Sequence, residues 1–174
     1  MSTDNLNHQE AIDKLKELAE KIDIGMLCTQ GIGSEYVHAI PMSTQEVDEV
    51  GNIWFLISDK SESFQHLQRN SMVSLLYSDP GNYSFLSIYA HTEVSRDKER
   101  IDKYWNKAME GFFENGKEDA SVCLLKVKPM EAHYWDTKSN KFVTFFKAAI
   151  AGITGKNPRH RTGRRSQHLI KFQL

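Results

Sequence analysis

The chain of 174 residues has only two cysteines and four prolines. No apolar run reaches the ~18 residues that a membrane-spanning helix needs. The longest candidate, Phe142 to Ile153, is short and carries Lys147. The first residues, MSTDNLNHQEAIDK, lack the basic-then-apolar order of a secretory signal, so a cytoplasmic protein is expected. Cys28 and Cys123 each sit in an apolar, strand-like run, with no CxxC and no histidine at ligand spacing. A zinc site is therefore unsupported, and both thiols read as small buried hydrophobes. There is no GxGxxG, no GxxxxGK[ST] and no HExxH. The seven histidines are scattered, with no i, i+4 pair, so no metal site is expected. The adjacent carboxylates Asp48-Glu49 and Glu118-Asp119 fall in turns, where they read as solvated charges.

One charge sign is also missing locally. No Asp or Glu follows Asp136, while nine of the 22 Lys and Arg residues do. The 13 other cations then face all 23 acids, so an acidic body carries a basic tail. A chain of this length suits one domain whose core needs no disulfide staples.

What is present is mostly strand. Glu10 to Ile22 is an amphipathic helix, with Ile12, Leu15, Leu18 and Ile22 at spacings of three and four. Asp23 and Gly25 end it. Strands follow over Ile24–Thr29 and Tyr36–Gln45, and Pro41 marks the second as an edge or bulge. After a turn at Asp48–Asn52, Ile53–Ser58 (IWFLIS) is dense in aromatic and β-branched residues, as strands are. Trp54 is read as core.

A short helix over Ser61–Arg69 has Ser58 or Ser61 as its cap. Met72–Tyr77 and Tyr83–Val94 are strands, and Asp97–Met109 is a helix. Val122–Val127 and Glu131–Trp135 are the last strands, and Lys141–Ile153 is a terminal helix. About seven strands arranged as hairpins, with four helices, predict a mainly β fold with helices (α+β). The expected form is an antiparallel barrel rather than a doubly wound sheet.

Several segments resemble the general-stress-protein-26 group of the pyridoxamine 5'-phosphate oxidase-like superfamily. They are Ile40–Asp48 (IPMSTQEVD), Gly51–Leu56 (GNIWFL), Ser58–Ser61 (SDKS), Tyr83–Ala90, Phe112-Phe113, Gly116–Asp119, Tyr134–Asp136 (YWD) and Thr154–Lys156. The resemblance covers roughly residues 8 to 157 and leaves 158–174 as the basic tail. It implies an FMN-binding split barrel: a homodimer with one FMN in each of two clefts at the interface.

By the same resemblance, the flavin-binding positions are Ile40, Pro41, Met42, Gln45, Ile57, Ser58, Lys60, Ser61 and Ser63. Trp135 would reach the site from the other subunit, and Lys141 would be a basic residue near the flavin. The chemistry is compatible with the residues. An isoalloxazine ring needs an apolar floor and backbone polar groups at its edge, which a Pro-interrupted strand beside IWFLIS supplies. A phosphate needs donors at a helix start, where Ser58, Lys60, Ser61 and Ser63 are found.

Relatives carry Arg where Ile40 stands and Lys where Ser63 stands, and the true oxidases have Lys where Gln45 stands. Pyridoxamine-phosphate oxidation is therefore not expected. No general acid or base stands out, and His38 and His133 read as structural residues on strands. Two readings follow. One is an FMN-dependent, stress-related oxidoreductase accepting electrons from a reduced nicotinamide or small substrate. The other is a non-enzymatic flavin- or anion-binding module on the same fold. The tail Asn157–Ser166 is basic but has no aromatic residue until Phe172. It reads as a solvated linker followed by an edge strand, or as a segment docked on the acidic body, rather than a nucleic-acid arm.

Overall fold

A computed structural model describes residues 8–31, 33, 35–135 and 140–144. The first helix, α1 (His8–Ile22), buries Ala11, Ile12, Leu15, Leu18 and Ala19 on one side. It stops at Asp23, whose φ of 65° is left-handed and breaks the helical path. The strands β1 (Ile24–Thr29), β2 (His38–Ser43), β3 (Glu46–Val47) and β4 (Ile53–Ser58) follow. Next come α2 (Glu62–Arg69), β5 (Met72–Asp79), β6 (Ser84–Ser95) and α3 (Lys98–Tyr104). The last elements are β7 (Val122–Trp135) and β8 (Asn140–Thr144).

All pairings are antiparallel. The strand order is β2-β1-β5-β6-β7-β4-β3, with β8 added on β7. Strands from opposite ends of this order approach each other: β2 lies against β4 without pairing to it. The sheet is thus curled into a barrel with one open seam, the antiparallel split barrel expected from the sequence.

Two apolar clusters hold the sheet. Phe55, Leu75, Tyr77, Ile88 and Leu125 fill the inside, and α1 closes it through Leu15 and Leu18. Alternate residues Trp54 and Leu56 of β4 point the other way, where Ile101 and Tyr104 of α3 cover them with Phe113 and Leu124. The period of two along β4 therefore serves two cores, which is why IWFLIS is apolar throughout.

Several expectations are corrected. The segments Val122–Val127 and Glu131–Trp135 are one strand running through Pro129. The proline is tolerated at a register shift, where Tyr89 pairs with Glu131 and Ala90 with Pro129. The helix expected over Asp97–Met109 ends at Tyr104, because Trp105 turns extended and Asn106 caps a separate 3-10 turn, Lys107–Gly111. The expected helix Lys141–Ile153 is at its start, 141–144, part of the strand β8 paired with β7. The rest of that segment, and the basic tail, lie outside the described residues.

Asp48 and Asp119 are not solvated turn charges. The Asp48 carboxylate accepts from the Asn52 backbone and side chain and from the Trp54 indole. Asp119 is buried and accepts from the backbone N–H groups of Ser121 and Asn115, which hold its pKa down at about 2. Cys123 is fully buried, but Cys28 is only half-buried. No helix among the described residues is long and apolar enough to cross a membrane.

Candidate functional site

The open seam is where the barrel leaves strand edges unpaired among the described residues. In β4, only Ile53 and Trp54 pair with β3, so among the described residues Phe55 to Ser58 have no strand partner on that side. Among the described residues β2 pairs with β1 alone. Unpaired backbone donors and acceptors therefore line both sides of the seam, and such groups look for partners.

The turn from β4 into α2 borders this seam, and its hydroxyls are largely spent on building it. Ser58 Oγ donates to Ser121 Oγ (3.1 Å) and accepts from the Lys60 N–H (3.2 Å). Ser61 is the helix cap: its Oγ accepts from the Phe64 N–H (3.1 Å) and donates to the Ser58 carbonyl (2.7 Å). Asp59 is tied to Arg96, whose guanidinium also donates to the Ala120 carbonyl (2.9 Å). Three groups remain for a ligand here. Lys60 is exposed. The N–H groups of Glu62 and Ser63 open the helix with no acceptor within it. Ser63, 1% exposed, has a hydroxyl with no hydrogen-bond partner among the described residues. A buried orphan hydroxyl is costly, so a native fold normally gives it a partner.

The other expected residues divide between seam and core. Pro41 is exposed on β2. Ile40 packs against the inner core, and Met42 and Ile57 belong to that core, so the last two offer a ligand only their backbone. Gln45 donates its amide to the Ser43 carbonyl (2.9 Å). It stands at an open cleft of about 400 Å³ shared with Glu46, Lys103, Tyr104, Trp105 and Asn106. Hydrogen bonds from Lys103 and then Tyr104 hold the Glu46 carboxyl below its usual range. Trp54 is core, with the Arg100 guanidinium 4.0 Å from its ring centroid.

Trp135 and Lys141 are not brought to this seam within one chain. Ser58 pairs with Val122 at one end of β7, and Trp135 closes the other end. Trp135 is 38% exposed and stacks on His133, with ring centroids 4.1 Å apart and planes 9° from parallel. Lys141 is on β8, in register with Tyr134. The outer face of the sheet also exposes Ile24 and Met26 on β1, Leu76 on β5 and Tyr89 on β6.

Sequence reasoning missed Arg96 and a polar group at the seam: Thr29, His38, Glu62 and His66. His38 Nδ1 lies 3.8 Å from one Glu62 oxygen and His66 Nε2 3.7 Å from the other. Thr29 Oγ1 is 3.0 Å from His66 Nδ1. Thr29 and His66 are 37 positions apart, as are Asp59 and Arg96, so no local pattern signals either pair. Among the described residues no cluster of His, Cys, Asp and Glu could hold a metal.

A family model described as pyridoxamine 5'-phosphate oxidase like matches residues 10–159. Among solved structures, a general stress FMN/FAD binding protein from the phytopathogen Xanthomonas citri is 27% identical. It superposes with a TM-score of 0.61 over 76% of this chain and 91% of that chain. A protein related to general stress protein 26 from Clostridium acetobutylicum shares 19% identity, with a TM-score of 0.64 over 82% and 97% of the two chains. General stress protein 26 from Bacillus anthracis shares 16%, with a TM-score of 0.66 over 78% and 98%. The last two show likeness of fold alone. No match was found among curated proteins.

Proposed function

Because the chain belongs to the pyridoxamine 5'-phosphate oxidase-like family, we propose that it binds FMN at the seam between β2 and β4, as a cytoplasmic homodimer with a role in stress response. The observation that carries this reading is the unpaired backbone of the seam beside a helix start with an orphaned, buried Ser63 hydroxyl. The relative described as FMN/FAD binding supports it.

The residues fit the cofactor in an uneven way. Ser63, the open N–H groups of Glu62 and Ser63, and Lys60 would hold the phosphate, aided by the partial positive charge of the α2 start. Ser58 and Ser61 shape that start. The free edges of Phe55–Ser58 and of Ile40–Met42 would meet the polar rim of the ring, and Pro41 would give it an apolar neighbour. A bound flavin supplies a redox centre that accepts hydride or electrons from a reduced nicotinamide or a small substrate.

A homodimer accounts for the exposed apolar face. Ile24, Met26, Leu76, Tyr89 and Trp135 form one side of the sheet, and covering them with a second copy removes that surface from water. Trp135 and Lys141 of the second copy would then complete the site, which lacks them within one chain. The flavin-binding unit is assigned to 8–157 and the basic tail to 158–174.

A second reading, a non-enzymatic flavin- or anion-binding module, is favoured by Ile40 and Ser63. Ile40 packs on the core and Ser63 is buried, so neither puts a charge near the phosphate. The test is the visible spectrum of the purified protein, followed by titration with FMN and then NADH or NADPH. Flavin bands, or their perturbation on titration, with nicotinamide oxidation support the oxidoreductase. Binding without turnover selects the second reading. No spectral response to FMN refutes the oxidoreductase and the flavin-binding form of the second reading, and leaves only a module for another anion.

A further inference from the structure

We infer that His38 and His66 are positioning residues that hold the Glu62 carboxylate away from the start of α2 and so keep that helix end open to a phosphate. The inference rests on the flavin reading and adds to it the residues that set affinity for the phosphate.

Glu62 is the first residue of α2. A carboxylate at that position is attracted to the positive end of the helix and competes with any other anion for the same N–H groups. In this chain its two oxygens are drawn elsewhere. One faces His38 of β2 at 3.8 Å and the other faces His66, one turn along α2, at 3.7 Å. The two imidazoles meet edge to face, 89° apart with centroids at 5.5 Å. The carboxylate thus lies between two rings from two elements and forms an ion pair with either ring when that ring carries both protons.

The rings are themselves held. Thr29 of β1 places its hydroxyl 3.0 Å from His66 Nδ1. The same hydroxyl donates to the His38 carbonyl at 3.4 Å, so Thr29 ties His66 to the strand that carries His38 and fixes the His66 ring plane. On its other side, Nε2 lies so near the backbone of Gly31 that a Cβ added there would stand 2.9 Å from it. His66 is the most buried of the three side chains at 15% exposed, against 31% for His38 and 66% for Glu62. The buried ring therefore orients the exposed acid. The arrangement matters more here than in a site with Arg and Lys at positions 40 and 63, because Ile40 and Ser63 leave Lys60 to offset a nearby carboxylate.

The experiment is a double-mutant cycle on the full chain, read by FMN and riboflavin affinity. The two ligands share the ring and differ in the phosphate. His38→Gln and His66→Gln each weaken FMN by about two- to fivefold, the range of one charge near a helix end, and leave riboflavin unchanged. Glu62→Gln tightens FMN, and in that background both histidine substitutions lose their effect. Equal losses with and without Glu62, equal losses for riboflavin, or no loss at all overturn the inference while the flavin reading stands. A protein that binds neither FMN nor riboflavin overturns the flavin reading and, with it, this assignment. Gly31→Ala displaces the His66 ring without touching the acid and must reproduce the His66→Gln pattern.

Discussion

The Trp54 indole N–H donates to the Asp48 carboxylate at 2.9 Å, so the residue that anchors the β3–β4 turn also fixes the ring that α3 packs on. The same carboxylate accepts from the Asn52 backbone (2.8 Å) and side chain (2.9 Å). Burial raises the Asp48 pKa, but the hydrogen bonds from Asn52 and Trp54 outweigh it and the net shift is downward.

Asp48→Ala is accordingly expected to cost about 2 kcal/mol at pH 7, the loss of charge-assisted hydrogen bonds. The sign with pH follows from the depressed folded pKa. The stabilisation is complete above the unfolded value of ~3.9 and is lost as pH falls through the folded one. Urea unfolding at pH 7 and pH 3 should show the gap between variant and parent narrowing in acid.

Gly25→Ala is expected to be strongly destabilising although it adds one methyl group in a strand. The new Cβ would stand 2.9 Å from the Tyr77 ring. That ring is 2% exposed, and its hydroxyl is bonded to Thr44 Oγ1 at 2.8 Å, so it cannot step aside. Overpacking of this kind costs about 1–3 kcal/mol. A fall in Tm with unchanged secondary structure by circular dichroism would bear this out; an unchanged Tm would refute the clash.

The two thiols should react in sequence. Burial pushes both pKa values up, and that of Cys123 to about 11. Cys123 also donates to the Ile57 carbonyl at 3.3 Å. A thiol reagent at pH 8 should label Cys28 slowly in the folded protein and Cys123 only on unfolding. Because the folded Cys123 value is raised, its contribution is intact below the ordinary thiol value and falls between about pH 9 and 11. Cys123→Ala should remove that alkaline decline.

Leu76→Glu tests the dimer. Leu76 is 41% exposed, between Met26 and Ser87 in the sheet register. A buried charge at a covered face is expected to shift the protein to monomer in sedimentation and weaken FMN together with it. If the variant sediments like the parent, this face is not the interface.

Legibility in the sequence followed the range of the interactions. β1 and β4 match their expected bounds, because a period of two, a dense β-branched content and flanking turns are local signals. The serines flanking the turn offer two caps, Ser58 and Ser61, and Ser61 is the cap. Where a distant partner decides, sequence reading fell short. Pro129 looks like a strand break until β6 supplies a bulge to absorb it. At 141–144 the apolar residues fit a helix, and pairing with β7 makes them strand.

The sequence by itself determined the antiparallel strand-rich fold, the buried faces and, through the resemblance of its motifs, the family. Those depend on residue type and spacing, which a linear reading contains. The tertiary structure decided which side chains are free. It turned Ser58 and Ser61 into builders of the turn, left the Ser63 hydroxyl alone, sent Met42 and Ile57 into the core and set His38 and His66 on either side of Glu62. The physical reason is that a hydrogen bond or ion pair is settled by distances of a few ångströms between groups far apart in the chain. Curling the sheet until β2 meets β4 is what creates those distances.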